Sequence, residues 1–499
     1  MSDATGDEPK IETADTSRTP AGIPRSWMYR PLKLGPLRLP WYASPPVQLV
    51  MVAVVCFLCP GMFNALNGLG GGGQVSAKDV DNAQVALYST FAVIGFFAGT
   101  FTNRLGLKLT LSLGGLGYFL YASALLCYNH TQNAGFLIFS GAFLGLCASL
   151  LWCAQGAIMM SYPPEASKGR YIAWFWMIFN WGAVIGSLIP LGENLHSTQN
   201  SVSNGTYVAF MVLMFVGAVL AWFLVDSKHV VRQDGSHVIV MKNPTWSSEI
   251  LGLYEVLRTD TYIIALFPLF FSSNWFYTYH FNAVNLAKFT IRTRALNNLL
   301  YWLSQIIGAY AFGYALDTRS IRRSIRARAA LSALFVITMI IWGGGYAYQR
   351  QYTRDETTPE TYVKDDWTTS GYVGPMVLYM FYGFYDASFQ TCAYWFMGAL
   401  TNNSRKTSYF AGFYKGIQSA GVAIVFRLDA LSLPFMNLFA SCWALLAASL
   451  LIAAPVIFLK IRDFVPLEDD LKFTDETVED VTASHRTESA TERVVDEKV

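Results

Sequence analysis

Charge is what this 499-residue sequence lacks. Asp, Glu, Lys and Arg make up 14% of it, against about 25% in a soluble domain. The shortage is also uneven: the last forty residues hold much of the acid, while runs of about 20 residues elsewhere hold no charge, the length that crosses a bilayer as a helix. Three soluble domains, the count that length alone would suggest, are thereby excluded. A net charge of +2, with no basic groove interleaved with aromatics, excludes a nucleic-acid partner. Enzyme signatures are missing too. There is no Walker loop, no Gly-x-Ser-x-Gly elbow and no His-Glu-x-x-His. The six histidines (His130, His196, His229, His237, His280 and His485) show no ligand spacing. The sequence therefore predicts no enzyme, no metal and no cofactor. All seven cysteines fall within apolar stretches, so none is placed for a loop disulfide, and Cys56-Phe-Leu-Cys59 is read as packing. Alternating segments of about ten residues, the mark of a membrane β-barrel, are absent.

What is present is hydrophobic: 53% AVILMFWYC and 15% aromatic. Twelve stretches are long enough to cross a bilayer, near 47–66, 83–101, 109–128, 134–160, 170–191, 206–225, 261–281, 295–316, 327–348, 373–400, 407–429 and 434–460. In lipid the backbone must satisfy its own hydrogen bonds, so these are helices. The expected fold class is an all-α integral membrane protein of twelve transmembrane helices in two six-helix halves. Its parts are a polar N-tail (1–45), an N-terminal half (46–225), a central loop (226–260), a C-terminal half (261–460) and a disordered acidic C-tail (461–499). The N-tail carries no signal-peptide pattern, so the first helix is expected to act as its own insertion signal.

With the N-terminus in the cytosol, 27 of the 36 Lys and Arg fall on the cytosolic side and 7 outside; Lys415 and Arg427 lie within the eleventh span. This bias predicts both termini cytosolic. The sequons at Asn129 and Asn204 then fall outside and are expected to carry glycans, while Asn402 falls inside. Nothing separates plasma membrane from an endomembrane or vacuole.

The two halves repeat. A shift of 238 places Gly145 on Gly383, Lys168 on Lys406, Tyr171 on Tyr409, Phe175 on Phe413 and Asn180 on Gln418. A shift of 214 places Gly99–Lys108 on Gly313–Arg322. Parallel six-helix repeats describe the major facilitator architecture. The loop Gly99–Lys108 resembles that superfamily's Gly-x-x-x-Asp-Arg-x-Gly-Arg-Lys motif, with Asn103 and Leu107 where Asp and Arg are usual. More specific stretches, Phe57–Gly73, Tyr162–Tyr171 and Phe413–Gly421, resemble its unc-ninety-three-like branch, the fungal members in particular, across all twelve spans.

This resemblance implies a fold and leaves two functions. One is secondary transport of a small organic or ionic solute by alternating access. The other is a non-transporting accessory role with a membrane-protein partner, since animal relatives regulate potassium channels or escort receptors. It also implies that the cytosolic loops bearing Asn103, Arg104, Lys108, Asp317, Arg319 and Arg322 gate the inner side. Asn103 is expected to cap a helix start, and Arg104 to hold the loop against the eleventh helix. The helix-four Arg-x-x-Gln-Gly of proton-coupled members reads Trp152-Cys-Ala-Gln155-Gly156 here, without the arginine.

Membrane lipid is an expected partner. Inside it, ionisable residues mark candidate sites. Tyr379, Tyr382, Asp386 and Gln390 are spaced three, four and four, on one face of the tenth helix. That face is expected to line a central cavity, with Asp386 as its acid. Lys415, with Gln418 at i+3, is expected to approach Asp386 through its long side chain plus a water. Asn64, Asn67 and Asn180 are further cavity candidates. Asn274 and His280 have no evident partner. Arg427 and Asp429 are expected to form an interfacial pair, Gly70–Gly73 a flexible turn, and the aromatics Trp174 to Trp181 an anchor or a binding wall.

Overall fold

The computed structural model describes residues 26–34, 37–73, 78–163, 167–194, 202–232, 246–318, 320–359, 361–401 and 403–463. A two-stranded antiparallel hairpin, β1 (Pro31–Leu34) and β2 (Leu37–Trp41), leads into the helices. We number the long helical segments α1 Pro45–Gly68, α2 Lys78–Leu105, α3 Leu107–Thr131, α4 Ala134–Ser161, α5 Lys168–Asn194 and α6 Asn204–Leu220. A short helix, Trp246–Thr259, precedes the second set. This set comprises α7 (261–286, in three pieces), α8 Ile291–Leu316, α9 Arg323–Gln349, α10 Val373–Leu400, α11 Ser404–Ala430 and α12 Phe435–Lys460.

Among the described residues, eight helices are apolar and long enough to cross a membrane, and α2 makes nine if its bend beyond Gly95 lies within one span. α7, α10 and α11 lie outside that count. α10 and α11 are 28 and 27 residues long but carry Asp386 and Lys415. α7 is broken into a 3-10 turn (Thr261–Leu266), an α-helical turn (Phe267–Ser272) and a π segment (Tyr279–Leu286), where the sequence predicts one continuous helix over 261–281. α1 has its own π turn, Phe57–Gly61, around Pro60, whose missing N–H breaks the i→i−4 ladder. α8 begins at Ile291 rather than at 295, which brings Arg294 inside the helix.

The halves meet where α2 runs along α11 and α5 along α8. Glycine permits the close approach: a Cβ on Gly95 of α2 would stand 2.8 Å from Gly416 Cα of α11. The repeat also has a spatial counterpart. Gly145 of α4 backs onto the carbonyl of Leu87 in α2, and a Cβ there would lie 2.1 Å from that oxygen. Gly383 of α10 backs onto the carbonyl of Tyr301 in α8 at 2.2 Å. Gly145 and Gly383 are related by the shift of 238, Leu87 and Tyr301 by that of 214, so two independent registers converge on one packing contact.

The chain ends define two faces. On the terminal face, Val231 N–H donates to Ala43 O (3.1 Å), and Arg323 Nε donates to Arg462 O (2.6 Å). On the far face, Val202 N–H donates to Gly73 O (3.1 Å), and Asn129 Nδ2 donates to Asn204 Oδ1 (2.7 Å). The two sequons thus sit together on the far face, whereas Asn402 lies outside the described residues.

Candidate functional site

A cavity of about 50 Å³ lies between the halves. The N-terminal half contributes Asn64 and Phe63 from the turn after Pro60, Tyr88 of α2, Tyr118 of α3, Trp152 of α4, and Trp176 and Phe179 of α5. The C-terminal half contributes Asn274 and Tyr277 from the break in α7, Gln390 of α10, and Lys415 and Gln418 of α11. The break matters locally. It brings Ser273 to Gln418, whose Nε2 donates to Ser273 Oγ at 3.0 Å, while Ser273 Oγ and Tyr414 Oη are 2.7 Å apart.

Lys415 is 3% exposed. Its Nζ donates to Gln418 Oε1 (2.8 Å) and, at the long limit, to Gln390 Oε1 (3.5 Å). It also stands over the rings of Trp152 (4.5 Å), Tyr414 (4.9 Å) and Tyr394 (5.5 Å), where the ring quadrupoles attract a cation. Gln390 Nε2 in turn donates to Asp386 Oδ1 (2.8 Å). Asp386 and Lys415 are therefore joined through an amide, not through the water the sequence suggested.

Asp386 itself does not line the cavity. It is fully buried against α8, where its Oδ2 accepts from Tyr301 Oη (3.0 Å) and Gln305 Nε2 (2.6 Å). The polar face of α10 is real, but it is turned toward α7, α8 and α9. Tyr382 stacks on His280 with centroids 4.2 Å apart, and Tyr379 packs on Tyr301 at 5.2 Å. Periodicity places four residues on one face of a helix; the packing of neighbouring helices sets which way that face looks. Only Gln390, at one end of the stripe, reaches the cavity wall.

The other candidates separate in the same way. Asn64 lines the cavity, whereas Asn67 accepts from Gln84 Nε2 (2.8 Å) and ties α1 to α2. Gln418 lines the cavity, but its repeat mate Asn180 is buried on α5 with no hydrogen-bond partner among the described residues. The aromatics of α5 divide too, with Trp176 and Phe179 on the cavity and Trp181 turned outward, 46% exposed. Arg427 and Asp429 do not pair, because residues two apart on a helix point to opposite sides. Asp429 pairs with Arg354 and accepts from Asn282 Nδ2 (2.8 Å). Arg427 reaches Asn82 instead (3.5 Å).

On each face a latch of hydrogen bonds joins the two halves. On the terminal face Asp317 accepts from the backbone N–H groups of Gly169 (3.0 Å) and Arg170 (2.7 Å), at the first turn of α5. A carboxylate there complements the positive end of the helix. Lys168 Nζ donates to the carbonyls of Gly398 (2.9 Å) and Thr401 (3.3 Å) at the end of α10. Of the gating-loop candidates, Asp317 thus makes a cross-half contact. Arg322 is exposed at the start of α9, Lys108 sits in the first turn of α3, and Arg104 is exposed at the end of α2. Asn103 lies inside the last turn of α2 and does not cap α3, whose N-cap is Gly106 at φ +81°. Arg319 lies outside the described residues.

The far-face latch contains residues the sequence reading did not single out. Arg294 of α8 is fully buried, and its Nε and Nη2 donate to the carbonyls of Leu69 (2.7 Å) and Gly70 (2.9 Å) at the end of α1. Asn298 Nδ2, one turn on, donates to Ala65 O (2.8 Å) and Ser187 Oγ (2.9 Å). Gly70 to Gly73 all have positive φ, the region glycine enters without steric cost. They form a buried, pinned turn rather than a flexible one: Gly71 N–H donates to Asn282 Oδ1 (3.2 Å) and Tyr207 Oη to Gly72 O (3.1 Å). A signal was present. Arg294, Asn298, Tyr301 and Gln305 recur every three to four residues along α8. Counting Arg294 as a loop charge hid it.

A broken α7, a cavity walled by both halves and a latch on each face coincide with the repeat. The Major Facilitator Superfamily model matches residues 49–426. An UNC93-like protein of Schizosaccharomyces pombe is 52% identical over 453 residues, covering 91% of this chain and 89% of that one. The chain is an UNC93-like member of the Major Facilitator Superfamily. UNC93-like protein 1 of Arabidopsis thaliana is 43% identical over 432 residues, covering 86% of this chain and 92% of its own. Among solved structures, the proton:xylose symporter XylE matches with a TM-score of 0.58 at 11% identity, over 88% of this chain and 99% of that one. The transporter FucP in its outward conformation matches at 0.53 and 15%, over 82% and 99%. At such identity these two structures speak for the fold alone. The UNC93-like chain is an integral, multi-pass membrane protein of transporter type.

Proposed function

We propose that this UNC93-like protein is a secondary transporter of a small organic or ionic solute, with twelve spans, both termini cytosolic and a cycle of alternating access. The observation that carries the reading is the cavity itself. It is shared between the halves, lined by Lys415, Gln390, Gln418 and Asn64, and set between two latches that join one half to the other. Opening would part the latches one at a time. Releasing Asp317 and Lys168 from α5 and α10 admits solute from the cytosolic side. Releasing Arg294 and Asn298 from α1 admits it from the other. Most latch bonds join a charged side chain to a backbone carbonyl or N–H group, each worth about 1.5–3 kcal/mol net of the water that replaces it.

Within this reading Lys415 touches solute, and Gln390 transmits the state of Asp386 to it. The test is flux through liposomes holding the purified protein, against organic acids, sugars, amines and alkali cations, with Gln390→Leu and Lys415→Met beside the wild type. Saturable flux that either substitution removes supports transport. Absence of flux for every solute, together with a membrane protein that co-purifies in stoichiometric amount, overturns it in favour of the accessory role.

A further inference from the structure

We propose that the solute is a small hydroxycarboxylate, its carboxylate held by Lys415 and the indole N–H of Trp176 and its hydroxyl by Asn274. This assignment rests on the reading of the chain as a transporter and names the chemistry of the same cavity. The first observation is the setting of Lys415. An ammonium group has three N–H donors, and the protein acceptors of Nζ are two amide oxygens, one of them at the long limit of 3.5 Å. Among the described residues no carboxylate lies within salt-bridge distance of Nζ, and Asp386 stands behind Gln390. A buried cation held by amides and ring faces calls for an anion.

The second observation is independent of Lys415. Trp176 Nε1 is a donor with no possible acceptor role. Trp176 lines the cavity and its Nε1 is buried with no partner among the described residues, as are those of Trp41 and Trp342 away from the cavity, whereas the Trp152 indole donates to Tyr118 Oη at 3.1 Å. Its ring packs 6.4 Å from that of Trp152, the ring beneath Lys415, so both donors belong to one aromatic enclosure. The third is Asn274 Oδ1, a buried acceptor of a cavity-lining residue that has no partner among the described residues. Unmatched buried polar atoms cost free energy that a complementary ligand recovers.

Two donors and one acceptor fit one carboxylate and one hydroxyl. They do not fit an alkali cation, which Lys415 repels, nor a sugar, whose many hydroxyls would face Phe63, Phe91 and Leu144. The size agrees. A volume of about 50 Å³ accommodates roughly three to five water-sized centres, the scale of glycolate or lactate.

The experiment uses the full-length protein in nanodiscs and titrates sodium lactate and sodium glycolate, with sodium chloride, potassium chloride and xylose as controls. Titration calorimetry reports binding, and thermal melting reports occupancy. Lactate or glycolate is expected to saturate both signals. Trp176→Phe should weaken binding about tenfold by removing one hydrogen bond, Lys415→Arg should retain a measurable part, and Lys415→Met about a hundredfold less. If Lys415→Met does not fold, the ratio of Trp176→Phe to wild type and the retention in Lys415→Arg carry the test. Unchanged lactate affinity in Trp176→Phe and Lys415→Met overturns the proposal, as does saturation by xylose or potassium with lactate silent. In that last case flux of the bound solute leaves the transport reading standing, whereas silence of every solute in both binding and flux removes both.

Discussion

The two halves of this protein share a scaffold and differ in the chemistry they bring to the middle. At positions related by the shift of 238, the C-terminal half carries Asp386, Gln390 and Lys415, and the N-terminal half carries Ala148, Trp152 and Met177. Yet Gly145 and Gly383 make the same contact with the same neighbouring helix in each half. Backbone approach is thus preserved where helices must touch, while side chains diverge on the cavity wall and, at Asp386, behind it. The divergence is complementary: Trp152, in the place of Gln390, offers its ring to Lys415 across the interface. One half supplies charge and amides, and the other supplies the aromatic surface that makes a buried cation tolerable.

The largest effect that would sharpen this contrast is at Asp386. Asp386→Asn sets a side-chain NH₂ among donors from Tyr301, Gln305 and Gln390, and is expected to lower stability by about 2–4 kcal/mol through lost charge-assisted bonds. Ala148→Ser, at the matching position, should cost under about 1 kcal/mol. Detergent melting of the two variants side by side would break the comparison if they fell equally.

The shared scaffold makes a symmetric prediction. Gly145→Ala and Gly383→Ala each drive a methyl to within 2.1–2.2 Å of a carbonyl oxygen. Each is expected to cost about 2–3 kcal/mol by overpacking, in nearly equal measure. A large effect at one position and none at the other would show that the halves do not share that contact.

The latches differ between copies as well. Asp317→Ala removes the cap from α5 and should cost about 1–2 kcal/mol. It should also raise the reactivity of cysteines introduced on the terminal face. Asn103→Asp, at the repeat-related position, should have the opposite sign, lowering that reactivity. Matching changes in both variants would mean that the two loops are not equivalent latches.

The smallest effect concerns the far face. α3 and α4 are joined by Gln132 and Asn133 alone, whereas α9 and α10 are joined by a long segment laid over the start of α8. There Asp366 takes a two-pronged contact from Arg292 (2.8 and 2.6 Å), together with the hydroxyls of Thr290, Thr293 and Thr368. The hydrogen bonds from Arg292 come first in holding its carboxyl well below the usual range. A depressed carboxyl adds stability that is fully present above its unfolded value, about 4, and is lost as acid titrates the folded form. Protection of the amides of this segment from hydrogen exchange should therefore weaken as pH falls below about 4, by roughly 1 kcal/mol for a partly exposed pair. The two-residue link between α3 and α4 should show no such change.

The membrane class, the long apolar helices, the duplication and the family were legible in the residue string. Each depends on composition and period, which the chain carries locally: an apolar run in lipid must satisfy its backbone within itself, although α7 does so in broken turns and not as one regular helix. The identity of the polar residues was legible as well, because a charge inside a span is conspicuous wherever it points. Their destinations were not. Asp386 and Gln390 lie on one face of one helix, yet the first is turned against α8 and the second against the cavity. Arg294 looked like a loop charge and became the buried bolt of the far-face latch. Asp429 passed over Arg427 for Arg354, 75 residues away in sequence. These outcomes depend on how helices far apart in the chain rotate and approach one another, and glycine contacts and hydrogen bonds across the halves set that rotation. Sequence alone decided that the chain belongs in a membrane; only the assembled bundle decided which of its polar residues meet.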